Sequence, residues 1–152
     1  MDSINPTNSN NTGEINIKPK TILLIEDEFY IADLYKNILQ KAGFDVELAQ
    51  DGDSGLKMAQ SKPDLILLDI MLPKINGLMI LSSLKLNPET KSIPIILLTN
   101  LGQADIIKQA FTMGASGYLL KMSLKPNDLV KYVNEFIANP DTQMDINSLV
   151  LD

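Results

Sequence analysis

The sequence predicts an α/β domain in which five parallel strands form one sheet with helices on both faces. Apolar runs of strand length alternate five times with segments that show the 3.6-residue spacing of amphipathic helices. Four of the five runs are apolar throughout, as expected for parallel strands that are covered on both faces. Alternation of this kind is typical of a parallel sheet between two layers of helices.

The second predicted strand differs from the other four. Its apolar residues Phe44, Val46 and Leu48 alternate with Asp45 and Glu47, which indicates an edge strand with one less covered face. With right-handed crossovers, the expected strand order is therefore 2-1-3-4-5, the flavodoxin-like doubly wound arrangement. The predicted strands are residues 21–25, 44–49, 65–68, 93–98 and 118–120.

The helices are bounded by residues that stop a helix. The first is predicted to bury a face made of Ile31, Leu34, Ile38 and Ala42 and to end at Gly43. The second lies between the Asp-Gly pair at 51–52 and the Lys-Pro pair at 62–63, and the third covers residues 77–86. The fourth covers 103–113, and the fifth starts near residue 126 with apolar positions 129, 133 and 136–137 facing inward.

These elements define one domain over residues 19–138. Residues 1–18 are rich in Asn, Ser and Thr without apolar periodicity, so a disordered tail is predicted there. Residues 139–152 form a C-terminal tail with a short apolar cluster that either extends freely or packs back on the domain. Because about fourteen residues follow the last helix, we expect a stand-alone domain. Its output would pass through protein contacts, or the domain would carry phosphoryl groups between kinases and phosphotransfer proteins.

Composition excludes several kinds of function. The chain has 13 Lys and Arg against 19 Asp and Glu, and its net charge of −6 argues against nucleic-acid binding and against anionic membranes. It has no Cys and no His, which excludes thiolate and imidazole chemistry, including a phosphohistidine relay through this chain. No signal peptide and no apolar run of membrane-spanning length is evident, so a cytoplasmic location is expected.

Polar residues follow four of the five predicted strands. Glu26 and Asp27 come after the first strand, Asp69 after the third, Thr99 after the fourth and Lys121 after the fifth. Parallel strands bring these ends to one edge of the sheet, where neighbouring strands are ~4.8 Å apart. Each residue alone is better explained as a polar residue that ends a strand. Together they supply the parts of a phosphoryl-transfer site.

Electrostatics favours a bound cation at this edge. Two carboxylates ~4 Å apart repel by about 4 kcal/mol at an effective dielectric constant near 20, so Asp27 and Asp69 need a neutralising partner. An oxygen-only set of ligands with water is suited to Mg²⁺. Lys121 and Thr99 would donate to phosphate oxygens, and Asp69 would be the nucleophile that forms an acyl phosphate. Positioning and charge neutralisation dominate this chemistry, so no general base is needed.

Four motifs now identify a family resemblance. They are Leu-Leu-Ile-Glu-Asp-Glu at 23–28, Leu-Leu-Asp-Ile-Met-Leu-Pro-Lys-Ile-Asn-Gly at 67–77, Ile-Ile-Leu-Leu-Thr at 95–99 and Gly-Tyr-Leu-Leu-Lys at 117–121. The intervals of 42 (27 to 69), 30 (69 to 99) and 22 (99 to 121) are also similar to the spacing of that family. Over about residues 20–138, the chain resembles the receiver domains of two-component signalling.

The resemblance implies a role for each matching residue. Asp69 would be the phosphoacceptor, and a histidine kinase or a histidine phosphotransfer protein would be the donor. Asp27 and Asp69 would bind Mg²⁺ directly, Glu26 would bind it through water, and the backbone carbonyl of Met71 would be a further ligand. The function implied is a Mg²⁺-dependent phosphoacceptor signalling domain, which is not an enzyme acting on a separate substrate.

The resemblance also implies a conformational switch. Thr99 and Tyr118 would form the switch pair, in which the hydroxyl moves to the phosphoryl group and the ring rotates inward behind it. Pro73 and Gly77 would shape the loop that presents Met71. The output surface would consist of the fourth helix, fifth strand and fifth helix.

Two positions depart from the family pattern. Asn100 stands where a small Ala or Ser is usual, and Met122 follows Lys121 where proline is usual. A cis bond before a non-proline residue costs ~2.5–4 kcal/mol. We therefore expect a trans Lys121–Met122 peptide with the ammonium group still directed at Asp69. Lys125 is followed by proline, but it lies too far beyond the strand to replace Lys121 at the site.

Several other functions remain open at this point. The main alternative is a degenerate receiver that acts as a constitutive protein-interaction module. A flavin binder needs a hydroxyl-rich and amide-rich loop after the first strand, where this chain has Glu-Asp-Glu. An aspartyl-phosphate phosphatase lacks its Asp-x-Asp motif here, and no GxxxxGK[ST] loop of an NTPase is present.

Overall fold

Five parallel strands form one sheet in the order β2-β1-β3-β4-β5, which confirms the predicted topology. The computed structural model describes residues 17–148, so the predicted tail at 1–18 lies almost wholly outside the described residues. The strands are β1 (Thr21–Ile25), β2 (Asp45–Ala49), β3 (Leu65–Leu68), β4 (Ile95–Thr99) and β5 (Gly117–Leu120). The helices are α1 (Phe29–Lys41), α2 (Gly52–Met58), α3 (Gly77–Leu86), α4 (Ala104–Thr112) and α5 (Pro126–Ala138).

The register of the central strands positions the functional edge. Ile25 at the end of β1 lies beside Leu68 at the end of β3. The next residue on each strand is acidic, and the N–H of Asp69 donates to the carbonyl of Ile25 at 3.1 Å. Because the sheet ladder extends to these residues, Glu26 and Asp69 start side by side.

Each face of the sheet carries its own apolar core. One core joins β1, β3, β4 and β5 to α3 and α4, with Ile80, Leu81 and Ile107 buried. The other joins the opposite face to α1 and α5, with Leu39, Leu129 and Val133 buried. β1, β3 and β4 are buried along nearly all of their length, which explains why they lack alternation.

Four predicted details were wrong. β5 begins at Gly117 instead of residue 118. β2 begins at Asp45 instead of residue 44. β4 covers 95–99 instead of 93–98, because Pro94 has no N–H to donate to a ladder and Thr99 pairs with Leu120. In α1, Leu34 is 51% exposed and the buried residues are Ala32, Tyr35 and Leu39. Ile31 and Ile38 of the predicted face pack half-buried on the same core, whereas Ala42 follows the helix and is exposed. The buried face of α1 is therefore centred on positions 32, 35 and 39, next to the predicted one.

The C-terminal tail packs on the domain as far as residue 148, which decides between the free and the packed tail for these residues. The N–H of Met144 donates to the carbonyl of Ser116 at 2.7 Å, and Ile146 packs against the core under α4. A short 3₁₀ turn follows at Ile146–Ser148. This part of the chain therefore packs back on the domain. Between residues 17 and 148, no helix combines the length and the apolar character that crossing a membrane requires.

Candidate functional site

Three carboxylates meet at the carboxyl-terminal edge of the sheet. Glu26 and Asp27 follow β1 and Asp69 follows β3, and one oxygen of each lies within 4.8 Å of the other two. Glu26 and Asp69 are buried, with 1% and 4% exposure, whereas Asp27 is exposed. The predicted acidic residues are therefore brought together, with two at the bottom of the site and one at its mouth.

Lys121 reaches this cluster from β5. Its ammonium nitrogen lies 2.5 Å from Oε2 of Glu26 and 3.0 Å from Oδ2 of Asp69. The described residues contain no cis peptide bond, so the Lys121–Met122 bond is trans as predicted. The ammonium group also points at Asp69 as predicted, so a trans bond is compatible with this geometry.

Burial and charge shift two pKa values in the cluster. Burial opposes protonation of Lys121, but hydrogen bonds and negative charge from Glu26 and Asp69 outweigh it and raise the pKa of the lysine above its ordinary value. Burial also raises the pKa of Glu26, and the charge of Asp69 adds to this effect against the opposing Lys121. One ammonium group thus serves two buried carboxylates, and the site keeps excess negative charge.

The loop after β3 holds Asp69 in place. Oδ1 of Asp69 accepts a hydrogen bond from the N–H of Met71 at 3.1 Å, so both carboxylate oxygens have a partner. The N–H of Gly77 donates to the carbonyl of Ile70 at 2.8 Å. A Cβ at Gly77 would lie 2.2 Å from the backbone oxygen of Asp69, so only glycine allows α3 to start this close to the loop.

Thr99 and Tyr118 converge on one residue of the β4–α4 loop. Thr99 is buried, and its Oγ1 accepts a hydrogen bond from the N–H of Leu101 at 3.4 Å. The Tyr118 ring is fully buried, and its hydroxyl donates to the carbonyl of Leu101. Burial, together with the negative charge of Asp69, raises the pKa of Tyr118 to about 12. The two predicted switch residues are therefore linked through Leu101.

Two residues near the site were missed by sequence reasoning. Leu101 makes its contacts with Thr99 and Tyr118 through its backbone. Its position two residues after Thr99 is the only feature of the sequence that could have indicated this role. Tyr35 is buried in α1, where burial raises its pKa and the charges of Lys121, Glu26 and Asp69 also act on it. The available signal was a hydroxyl-bearing aromatic residue in an amphipathic helix beside the first acidic loop.

The donor chemistry fits a hard divalent cation. The three residues that converge offer only carboxylate oxygens, and the chain has neither Cys nor His to supply a thiolate or an imidazole. Oxygen ligands of this kind suit Mg²⁺, Ca²⁺ or Mn²⁺. Three carboxylates against one ammonium group also leave charge for a cation to neutralise.

Sequence comparison decides the family. Residues 22–134 match the model of the response regulator receiver domain. The chain belongs to this family. Receiver domains are signalling domains of two-component systems, in which phosphorylation and Mg²⁺ binding by acidic residues are general features. They interact with histidine kinases or phosphotransfer proteins.

A curated relative supports this membership. The chain is similar to the DNA-binding dual master transcriptional regulator RpaA of Synechocystis, with 45% identity over 101 residues that cover 66% of this chain and 42% of that protein. The receiver spans about half the length of the curated relatives it matches. Those relatives include transcriptional regulators with a further region that this alignment does not reach.

Solved structures share the fold. A putative response regulator from Chloroflexus aurantiacus has a TM-score of 0.75 and 32% identity, with 80% of this chain and all of that chain covered. The Mn²⁺-bound form of response regulator Rcp1 has a TM-score of 0.67 and 29% identity, with coverage of 84% and 98%. The receiver therefore has structural relatives over its whole domain, one of which binds a hard divalent cation.

Proposed function

We propose that this receiver accepts a phosphoryl group on Asp69 from a phosphohistidine of a histidine kinase or a histidine phosphotransfer protein, in a Mg²⁺-dependent reaction. One observation carries the proposal. The Asp69 carboxylate lies buried at the end of β3, 3.0 Å from the Lys121 ammonium group and next to two further carboxylates. A buried nucleophile, a cation donor and a set of oxygen ligands are the parts that phosphoryl transfer requires.

The reaction is a direct displacement. An oxygen of Asp69 attacks phosphorus, the P–N bond to the imidazole of the donor breaks, and the imidazole nitrogen leaves with the electron pair and takes a proton. Lys121 stabilises the negative charge that develops on the phosphoryl oxygens, because its ammonium group already faces Asp69. Thr99 donates its hydroxyl to another phosphoryl oxygen. Since these 152 residues contain no histidine, the donor imidazole lies outside them.

The acidic residues would hold the cation. Asp27 and Asp69 would bind Mg²⁺ directly, Glu26 would act through water, and the carbonyl of Met71 would complete the protein ligands. When bound, Mg²⁺ supplies charge neutralisation for the incoming phosphoryl group. The contact of 2.5 Å between the Lys121 ammonium nitrogen and Oε2 of Glu26 supports a water-mediated role for Glu26, because this oxygen already has a charged partner.

The output is proposed to pass through protein contacts at the surface made by α4, β5 and α5. Thr99 and Tyr118 support this proposal, because both contact Leu101 in the loop that leads into α4. Movement of the Thr99 hydroxyl toward a phosphoryl group would alter this contact. The partner at this surface is proposed to be protein and not nucleic acid, since the net charge of −6 disfavours contacts with phosphates.

Labelling with a small phosphodonor tests the proposal. Radiolabelled acetyl phosphate with Mg²⁺ should label the wild-type receiver, and Asp69→Asn should remove the label. Asp64→Asn, at the other end of β3, is the matched control and should label normally. Full labelling of the Asp69→Asn protein would exclude Asp69 as the acceptor. No labelling of a folded wild-type protein would favour the constitutive interaction module instead.

A further inference from the structure

The chain beyond α5 doubles back to the edge of the sheet. The N–H of Thr142 donates to the carbonyl of Asn139 at 3.2 Å, and its hydroxyl donates to the same carbonyl at 2.8 Å. Residues 142–147 then pass the start of β5 and continue toward α4, and we call this segment the strap. Because β5 is an edge strand, this side of it faces no other strand within residues 17–148.

The strap makes three hydrogen bonds to the corner between α4 and β5. The side-chain amide of Gln143 donates to the carbonyl of Phe111 at 3.1 Å and to that of Ala115 at 3.0 Å. The N–H of Met144 donates to the carbonyl of Ser116 at 2.7 Å. These acceptors are a carbonyl at the end of α4 and the two carbonyls just before β5, so the strap ties this corner together.

Apolar side chains hold the strap between the two helices. The Met144 methyl would lie 3.4 Å from a Cβ placed on Gly117, and Met144 packs on the core that includes Phe136 of α5. Ile146 packs on the opposite core, which includes Ile107 and Tyr118. The strap therefore contacts both faces of the sheet, including the core that contains the buried tyrosine.

The two edges of the sheet are protected in different ways. β2 carries the exposed charges Asp45 and Glu47, which discourage pairing with another strand. β5 has the sequence Gly-Tyr-Leu-Leu and no charge. A covering segment is the other means by which proteins protect an edge strand, and the strap supplies it at the start of β5.

The strap is connected to the phosphoacceptor through α4. At its amino end, α4 follows the loop in which Leu101 contacts both Thr99 and Tyr118. At its carboxyl end, α4 is held by Gln143. A Thr99 hydroxyl that turns toward a phosphoryl group weakens its contact with the N–H of Leu101, which is already long at 3.4 Å. A shift of this loop would move α4 relative to the strap.

We infer that the strap is a phosphorylation-sensitive cover of the β5 edge, bound while Asp69 is unmodified and released when a phosphoryl group is present. This inference rests on the proposed function. By linkage, a strap that is released by phosphorylation must in turn oppose phosphorylation by the same factor. Release uncovers the start of β5 and the three carbonyl groups that the strap occupies.

Hydrogen exchange of single amides tests the inference in the full chain. Beryllofluoride with Mg²⁺ mimics a phosphoryl group on an aspartate. It should speed exchange of the Met144 N–H by about tenfold, within the usual range of coupling between sites, and should leave that rate unchanged in Asp69→Asn. The Met71 N–H, which donates to Asp69, reports binding at the site itself. A response at Met71 with unchanged or slower exchange at Met144 would overturn this inference and leave the proposed function intact. No response at either amide would overturn both.

A variant tests the reciprocal effect. Gln143→Ala removes two strap hydrogen bonds from an exposed position, so the Met144 N–H should exchange faster without beryllofluoride. Beryllofluoride should then bind more tightly by a similar factor. Gln109→Ala, an exposed glutamine on α4 outside the strap, should change neither quantity. Faster exchange in Gln143→Ala with unchanged beryllofluoride affinity would show that the strap is uncoupled from Asp69.

Discussion

Two aspartates, Asp64 and Asp69, flank the four-residue strand β3 and have different roles. Asp64 precedes β3, is half-buried, and its Oδ2 accepts one hydrogen bond from the N–H of Thr21 at 2.8 Å. Asp69 follows β3, is 4% exposed, and contacts an ammonium group and a backbone N–H. Asp64 joins β3 to β1 at the amino end of the sheet, whereas Asp69 belongs to a cluster of charges at the carboxyl end.

The difference lies in the neighbours and not in the residue type. At the carboxyl end, three acidic residues and one lysine lie close together, where burial and the charge of Asp69 raise the pKa of Glu26, and hydrogen bonds and negative charge raise that of Lys121. At the amino end, Asp64 accepts a hydrogen bond from one backbone N–H, that of Thr21, which is a common structural role for an aspartate at the end of a strand. An aspartate of this sheet therefore has a chemical role when it is buried at the carboxyl end of a strand, and a structural role when it lies at the amino end.

Four predictions test this distinction between Asp69 and Asp64, in order of decreasing effect.

The largest effect is expected from Lys121→Met. Removing the ammonium group that faces Asp69 should slow labelling by acetyl phosphate by about 10²–10³-fold, the usual cost of losing one donor to a developing charge. Lys20→Met, at the amino end near Asp64, should leave the labelling rate unchanged. The rates are measured at matched Mg²⁺ concentration, with circular dichroism to establish that both variants are folded. Equal rates in the two variants would contradict the role of Lys121.

Mg²⁺ should stabilise the receiver through the carboxyl end alone. At about one hundred times its Kd, Mg²⁺ should raise the free energy of unfolding by about 2.7 kcal/mol. Asp64→Asn should keep this gain, and Asp69→Asn should lose most of it because one of the three carboxylates is gone. Urea unfolding with Mg²⁺ or EDTA measures the gain. An undiminished gain in Asp69→Asn would place the cation elsewhere.

Alkaline unfolding should show that the Asp69 charge acts on the pKa of Tyr118. The pKa of Tyr118 is raised from 10.0 to about 12, first by burial and then by Asp69. A raised pKa means that the folded state holds the phenolic proton more tightly. The stabilisation is therefore complete below pH 10 and is lost as pH rises from 10 to about 12, with a size of roughly 2 kcal/mol.

Variants separate this contribution from the titration of other groups. Tyr118→Phe should remove it, so stability should fall less steeply between pH 10 and 12. Asp69→Asn should move the loss to slightly lower pH, and Asp64→Asn should not move it. Spectrophotometric titration of the tyrosines gives the pKa directly. A pH profile of Tyr118→Phe identical to wild type would refute the assignment.

The smallest effect is expected at the structural aspartate. Asp64→Ala removes the acceptor of the Thr21 N–H and should lower the free energy of unfolding by about 1 kcal/mol. Labelling at Asp69 should remain at the wild-type rate. Chemical denaturation and the acetyl phosphate assay are done on the same preparation. Slower labelling of the Asp64→Ala variant would contradict a purely structural role for Asp64.

Much of the site was predictable because its residues follow strands. The apolar runs located four strand ends, and the parallel arrangement then required Glu26, Asp27 and Asp69 to meet near Lys121. Contacts made by the backbone could not be predicted in the same way. The Leu101 carbonyl accepts from Tyr118 only because the loop and the inward ring position meet in space. No residue type in the sequence marks such an acceptor.

Packing decided two further features. In α1, Ile31 and Ile38 were predicted correctly to face the core, and Leu34 was not, because contact with the sheet and α5 centres the buried face on positions 32, 35 and 39. In the C-terminal tail, Met144 and Ile146 were compatible with either a free or a packed segment. Their contacts with Gly117 and the core under α4 exist only once the edge of β5 is formed.

The sequence alone determined the order of elements, the topology of the sheet and the identity of the charged residues at its carboxyl edge. These features depend on local pattern and on the rule that parallel strands end together. The tertiary structure decided which positions of α1 are most buried and where the strap lies. It also decided that the Lys121 ammonium group contacts both Glu26 and Asp69. Those features depend on distances between residues far apart in the chain, and such distances are set only when the two cores pack against the sheet.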